Sequence, residues 1–215
     1  MSTLVRSMFL VVVLCPVLSA QQPEHRAGVL AGMSRAHVSG ASLANISSRT
    51  GAMFGAYYLA PLSYGWGVQL GAAFGMKGWE RVEPRSNDRA AVNIDYVEAP
   101  VLARFDFDPA DHTSFFAVAG PAVGFRARCG LTVTGGTSTL SESCAEIDRA
   151  SPGVANFRSF DLGAVLGTGL RFGQGGTRLA IMAQYEHGFT SIQPGTDIKN
   201  RVFSVGLAIE RSVKK

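Results

Sequence analysis

The chain has 215 residues, 47% of them hydrophobic, with 25 glycines, a formal net charge of +4 and a mean hydropathy of +0.16. That hydropathy is high for a soluble domain of this size, and the basic residues are scattered singly, which excludes the basic stripe with interleaved aromatics of a nucleic-acid binder. No segment after residue 20 offers eighteen consecutive apolar residues, so residence in a membrane requires a closed β-barrel, which like a helix satisfies every backbone polar group in lipid.

Residues 1–20 read as a cleaved signal peptide: Arg6 supplies a positive start, Met8 to Val17 an apolar core, and Leu18-Ser19-Ala20 a small residue at the cleavage point. The apolar run is short for a membrane anchor, and Val13-Leu14 ahead of Cys15 lacks the small residues that lipid attachment needs. Residues 21–215 are then expected to form a single β-barrel domain.

Beyond the signal, eight segments alternate at period two. Residues 26–36 and 51–60 are blurred by glycine and alanine. In the third, Val68, Leu70, Ala72, Phe74 and Met76 oppose Gln69, Gly71, Ala73, Gly75 and Lys77. In the fourth, Val97, Ala99, Val101, Ala103 and Phe105 oppose Tyr96, Glu98 and Arg104. Residues 114–128 form a less regular fifth, and Pro121 there, like Pro100 before it, removes a ladder donor and predicts a bulge or irregularity. Phe160 to Phe172 sets Phe160, Leu162, Ala164, Leu166, Leu170 and Phe172 against Asp161, Gly163, Gly167, Gly169 and Arg171. Leu179, Ile181, Ala183 and Tyr185 oppose Arg178, Ala180, Gln184 and Glu186, and Phe203, Val205, Leu207 and Ile209 oppose Ser204, Gly206, Ala208 and Glu210.

The connections alternate in length. Those at 61–65, 106–113 and 173–176 are short and turn-like, whereas those at 37–50, 80–92, 129–157 and 188–199 are longer and polar. An up-and-down barrel with one trimmed and one elaborated end follows, as in outer-membrane barrels with short periplasmic turns. A soluble barrel also alternates, but it puts bulky apolar residues inside. Here the opposite face is built of glycine, alanine, serine and isolated charges, which suit the narrow lumen of eight strands. Cys129 and Cys144, an even pair within one polar segment of an exported chain, predict a disulfide.

Three stretches carry a resemblance. Tyr96-Val97-Glu98-Ala99-Pro100-Val101-Leu102-Ala103-Arg104-Phe105 resembles a Tyr-aliphatic-Glu-aliphatic-Pro strand ending in a basic residue. Phe160-Asp161-Leu162-Gly163-Ala164-Val165-Leu166-Gly167-Thr168-Gly169-Leu170 is similar to a glycine-rich sixth strand. Tyr185-Glu186-His187-Gly188-Phe189-Thr190-Ser191-Ile192 with Lys199-Asn200-Arg201 resembles a closing hairpin. The family resembled is the PorT-like or porin-family small outer-membrane β-barrel, of the outer membrane protein beta-barrel domain type. The resemblance implies an all-β, eight-stranded antiparallel up-and-down transmembrane barrel with no catalytic residues to carry over. One departure is visible: many such barrels end on an aromatic residue read by the insertion machinery, whereas this chain continues past Ile209 to Glu210-Arg211-Ser212-Val213-Lys214-Lys215, which either counts against the membrane assignment or puts that signal internally at Phe203.

The inward face collects Lys77, Glu98, Arg104, Arg126, Asp161, Arg171, Arg178, Glu186 and Glu210, nearly balanced in sign. Balanced charges in a low-dielectric lumen are expected to pair and fill it as an electrostatic plug; a selective pore would show an excess of one sign. Trp66, Trp79, Tyr57, Tyr58, Phe105, Phe160, Phe172 and Phe203 are expected in interfacial girdles. His25, His37, His112 and His187 lack metal-ligand spacing, and no cofactor is expected.

The expected function is a non-enzymatic, monomeric barrel exported to the outer membrane. Its partners are outer-membrane lipids, the barrel-insertion machinery and an unidentified surface ligand met by the loops, above all the one closed by Cys129 and Cys144. Alternatives are a narrow porin-like channel, a soluble periplasmic ligand-binding barrel, and a lipid-modifying enzyme using His37, Ser39 and His187, though sequence cannot bring those three together.

Overall fold

A computed structural model of the chain describes residues 24–40, 46–83, 88–136 and 138–213. The expected signal at 1–20, with Cys15, lies outside the described residues. Every alternating segment is a strand. In chain order these are β1 (Arg26–Ser39), β2 (Ile46–Pro61), β3 (Trp66–Val82), β4 (Arg89–Asp106) and β5 (Thr113–Gly135), then a short β6 (Ser138–Ser143), α1 (Cys144–Ala150), β7 (Phe160–Phe172), β8 (Thr177–Gly188) and β9 (Lys199–Ser212). Each barrel strand pairs antiparallel with its neighbours in the order β1-β2-β3-β4-β5-β7-β8-β9. The ladder from Arg26↔Ser212 to Ser39↔Lys199 joins first strand to last and closes an eight-stranded up-and-down barrel. Closure leaves no sheet edge at membrane depth, where an unpaired backbone group has no water to turn to.

The alternation runs opposite to that of a soluble barrel. On β9, Phe203, Val205, Leu207 and Ile209 are 51, 46, 64 and 51% exposed, while Ala208 and Glu210 are buried. Val29, Leu70, Val97, Val101, Leu166, Leu179 and Ile181 continue the outward apolar belt on other strands. A continuous apolar band around the whole circumference far exceeds the patches that soluble monomers tolerate, and lipid is the medium in which it costs nothing to expose. Tyr58, Tyr64, Trp66 and Phe107 rim the belt at the short-turn end, with Trp66 against Phe105 at 4.8 Å and Phe105 against Phe107 at 5.0 Å.

Small inward residues make room for large ones across the wall. A Cβ on Gly169 would sit 2.3 Å from Cζ of Phe116, and one on Gly28 would sit 2.4 Å from Cζ of Tyr57. A layer of Tyr57, Leu102, Phe116, Val118 and Met182 fills the lumen where those glycines lie. Tyr57 therefore points inward and Trp79 packs on Phe157 at 5.8 Å, so neither belongs to the girdle the sequence suggested; the glycine and alanine around Tyr57 hide its facing.

The prolines act as expected in one respect. Rungs Val101 with Pro121 and Leu102 with Gly120 drop out of the β4–β5 ladder, yet the register on either side is unchanged, and Gly71 leaves space for the Pro100 ring. The bulge falls instead between Asp95 and Tyr96, opposite Arg128 and Arg126. The long connections are shorter than the sequence suggested because the strands run on beyond the belt. There β3, β4, β5 and β6 continue as a sheet in which Glu80 pairs with Ala91, Ala91 with Thr132 and Thr132 with Ser141.

Candidate functional site: the barrel lumen and the outer cap

Ascending from the short-turn end, the lumen holds a charged layer, the apolar layer, a small cavity of mixed lining and a second charged group. In the lowest layer Arg104, fully buried, donates to Oε1 of Glu210 at 2.6 Å and to Asp106 at 3.2 Å, and its guanidinium lies 3.9 Å from the Phe116 ring centroid. Arg171 donates to the same Asp106 oxygen at 2.9 Å, the Tyr57 hydroxyl donates to Glu210 at 2.7 Å, and Arg26 lies 3.7 Å from Glu210. Among the described residues Arg178 makes no salt bridge; it donates to the Pro109 carbonyl at 3.3 Å, as Arg171 does at 3.4 Å. Buried guanidinium–carboxylate contacts of this kind are strong only when the remaining polar atoms are also satisfied, which Tyr57 and the Pro109 carbonyl accomplish in part.

Higher up, Lys77 is gripped by two carboxylates, Glu98 and, at 2.6 Å, Glu186, with the Tyr96 ring 5.2 Å from its ammonium. Asp161 stands apart from these bases and accepts from Asn200 Nδ2 at 2.6 Å. Asp95 lies 3.7 Å from Arg49. Arg126 belongs to neither layer, since its guanidinium donates to the Phe157 carbonyl at the mouth. Between the layers a cavity of about 60 Å³ is lined by Ser34, Gln69, Lys77, Glu98, Gln184 and Glu186 among others. Leu30, Met53, Phe74, Leu102 and Val165 make most of the remaining wall apolar, and the volume is that of a few waters at the polar side.

The near-balance read from sequence thus conceals segregation. The lower layer sets Arg26, Arg104, Arg171 and Arg178 against Asp106 and Glu210; the upper region sets Lys77 and Arg49 against Glu98, Glu186, Asp161 and Asp95. Arg26, Arg49, Asp95 and Asp106 are lumen charges that the alternation did not reveal, and Tyr57, expected in the girdle, and Asn200, expected only as part of the closing hairpin, join them. Asp106 and Arg26 sit at strand ends, where alternation alone gives no facing.

A cap closes the outer mouth. The Cys129–Cys144 disulfide ties β5 to the first residue of α1, with Cα atoms 5.4 Å apart. Ser143 caps the helix: its hydroxyl accepts from the Glu146 amide while the Glu146 side chain accepts from the Ser143 amide at 2.9 Å. The Ser143 hydroxyl also donates to the Glu146 carboxylate at 2.7 Å, and this bond, with the one from the Ser143 amide, holds the exposed Glu146 carboxyl below its ordinary range. Cys144, Ala155, Phe157 and Ile192 from the connections pack on Val38, Ile94 and Tyr96 of the wall as a second core. Arg158 N–H to Ile192 O at 2.7 Å and Arg126 N–H to Ser159 O at 2.8 Å pin the segment down. The six residues of β6 are all exposed, and among the described residues the strand pairs only with β5.

His37 on β1 and His187 on β8 flank Arg201 on the outward face, each directly opposite it, so the β9 strand separates the two imidazoles. Ser39 pairs with Lys199 and makes no hydrogen bond to either histidine among the described residues, so no nucleophile–base pair is assembled. No metal-binding cluster occurs among the described residues.

No curated protein matches the chain. Among solved structures, OprG of Pseudomonas aeruginosa aligns over 88% of this chain and 97% of its own, with 9% identity and a TM-score of 0.49. Neisserial surface protein A aligns over 87% and 97%, with 12% identity and a TM-score of 0.47. Ail of Yersinia pestis, in complex with sucrose octasulfate, aligns over 87% and 99%, with 16% identity and a TM-score of 0.45. The sequence profile of the outer membrane protein beta-barrel domain matches residues 20–193. The chain belongs to the outer membrane protein beta-barrel domain family.

Proposed function

We propose that this protein is a non-enzymatic, monomeric outer-membrane barrel, exported by a cleaved signal at residues 1–20, whose lumen is plugged by ion pairs and whose work is done by the structure it holds above the membrane. The cap carries this reading. A disulfide, a capped helix and a second apolar core stiffen the outer end far beyond what a connecting loop needs, and beside them β6 offers an edge of the β3–β6 sheet that is unpaired among the described residues. An unpaired edge is a template for pairing with an extended segment of a partner, with main-chain hydrogen bonds giving affinity. The PorT-like branch of the family is the finer assignment favoured by Tyr96–Phe105 and Phe160–Leu170.

The small cavity under the cap, with Lys77, Glu98 and Glu186 on one side, favours a second reading, a narrow channel. Two features weigh against it: the fully buried Arg104–Glu210 pair crosses the floor, and the apolar layer stands above it. Planar-bilayer recordings decide between them. A plugged barrel gives no stable conductance with the disulfide intact or reduced, and steady unitary currents would replace the plug with a pore. For the surface role, the intact protein is tested against the isolated surface proteins of a host or neighbouring cell, with Leu140→Pro in β6 as the comparison. Edge pairing predicts that Pro abolishes binding while the barrel stays folded, and undiminished binding would remove β6 from the account.

A further inference from the structure

The lipid-facing wall carries a basic row that the lumen and cap do not explain. On β9 the outward residues run Arg211, Ile209, Leu207, Val205, Phe203, Arg201. Ten residues at ~3.3 Å each and a tilt of ~40° separate the two arginines by about 25 Å along the membrane normal, the height of the apolar band. Arg201 therefore lies at the outer headgroup level and Arg211 at the inner one. Directly opposite Arg201 stand His37 on β1 and His187 on β8, and Arg35 lies one outward position below His37, opposite Phe203.

Directly opposed residues in a ladder hold their Cβ atoms ~5 Å apart, so four nitrogen-bearing side chains share one patch of three strands. Among the described residues neither arginine meets a carboxylate. Arg35 is exposed and makes no side-chain hydrogen bond there, and Arg201 spends one terminal nitrogen on the carbonyls of Gly188 at 2.8 Å and Asn200 at 2.7 Å, which orients its remaining donors. Lys199 lies just above but is paired with Asp197 at 2.7 Å. His187 is fixed between the rings of Tyr185, 6.4 Å away, and Phe189, 5.4 Å away.

We infer that Arg35, His37, His187 and Arg201 form a site for the phosphate-bearing headgroup of an outer-leaflet lipid, whose acyl chains lie along Met33, Phe203, Val205 and Tyr185. Arginine forks match phosphate oxygens bidentately, and unpaired cations at the headgroup level are complementary to an anionic lipid. The inference rests on the membrane-embedded reading of the barrel.

The test is retention of phosphatidic acid over phosphatidylcholine by the refolded protein, measured by native mass spectrometry. Each removed arginine charge is expected to weaken retention roughly five-fold, so Arg35→Gln with Arg201→Gln lowers it about 25-fold, whereas Arg211→Gln changes it less than two-fold. Arg35→Gln alone removes no side-chain hydrogen bond or ion pair seen among the described residues and reports on the site even if the Arg201 variant misfolds. A wild-type protein that inserts but shows no preference for phosphatidic acid, or an equal loss in Arg211→Gln, overturns the site. Failure of the wild type to insert would instead overturn the membrane barrel itself.

Discussion

Removing the Glu210 carboxylate is the sharpest perturbation of the filled lumen. The side chain is fully buried, accepts from Arg104 at 2.6 Å and Tyr57 at 2.7 Å, and lies 3.7 Å from Arg26. In Glu210→Gln the lower layer keeps four guanidiniums facing the single carboxylate of Asp106. Removing one partner of a buried pair leaves an uncompensated charge and costs about 3–5 kcal/mol, roughly two to four decades in the folding equilibrium. Removing Arg104 as well takes away the stranded charge, so Arg104→Gln in the Glu210→Gln background should restore part of that loss. Urea unfolding in lipid vesicles, followed by the fluorescence of Trp66 and Trp79, gives the double-mutant cycle. The pairing account requires a single-variant cost above about 2 kcal/mol and a coupling of comparable size. A cost below 1 kcal/mol, or strictly additive variants, would show that the layer is not held together by its ion pairs.

The remaining expectations concern the wall and the cap. Gly169→Ala places a methyl group 2.3 Å from Phe116 and 2.5 Å from the Ile181 carbonyl, which cannot move without breaking the ladder; a loss of about 1–3 kcal/mol is expected in the same unfolding assay, and Phe116→Leu should relieve part of it. Reducing the Cys129–Cys144 bond, which closes a loop of sequence separation 15, should loosen α1 and speed trypsin cleavage after the already exposed Arg149 while the barrel keeps its heat-dependent gel shift; loss of the shift would make the disulfide part of the barrel's own stability. The lowered Glu146 carboxyl contributes cap stability that is present above its unfolded value and is lost as pH falls through the folded one. NMR of the Ser143 amide should therefore titrate with a midpoint below the usual glutamate range, and Glu146→Gln should abolish that titration.

The barrel was legible because lipid inverts the usual pattern. Phe203, Val205, Leu207 and Ile209 against Ser204, Gly206, Ala208 and Glu210 specify period two and state which face is bulky, and that is enough to find every barrel strand. The pairing of the charges was not legible, because it depends on stagger around the barrel. Glu210 finds Arg104 across 106 positions of sequence, and Lys77 finds Glu186 across 109. The cap was missed for another reason. Ala155, Phe157 and Ile192 belong to connections with no periodicity, and only the two cysteines signalled that this region is folded.

The central claim is that the bulky face of each strand meets lipid and the small face lines a filled lumen. Single cysteines introduced along β9 from Phe203 to Glu210 and nitroxide-labelled after refolding into vesicles, in a background without Cys129 and Cys144, test it directly. The account predicts that positions 203, 205, 207 and 209 are accessible to membrane-dissolved oxygen and shielded from a water-soluble nickel chelate, with 204, 206, 208 and 210 shielded from both. Access of the chelate to 205 and 207 would contradict it.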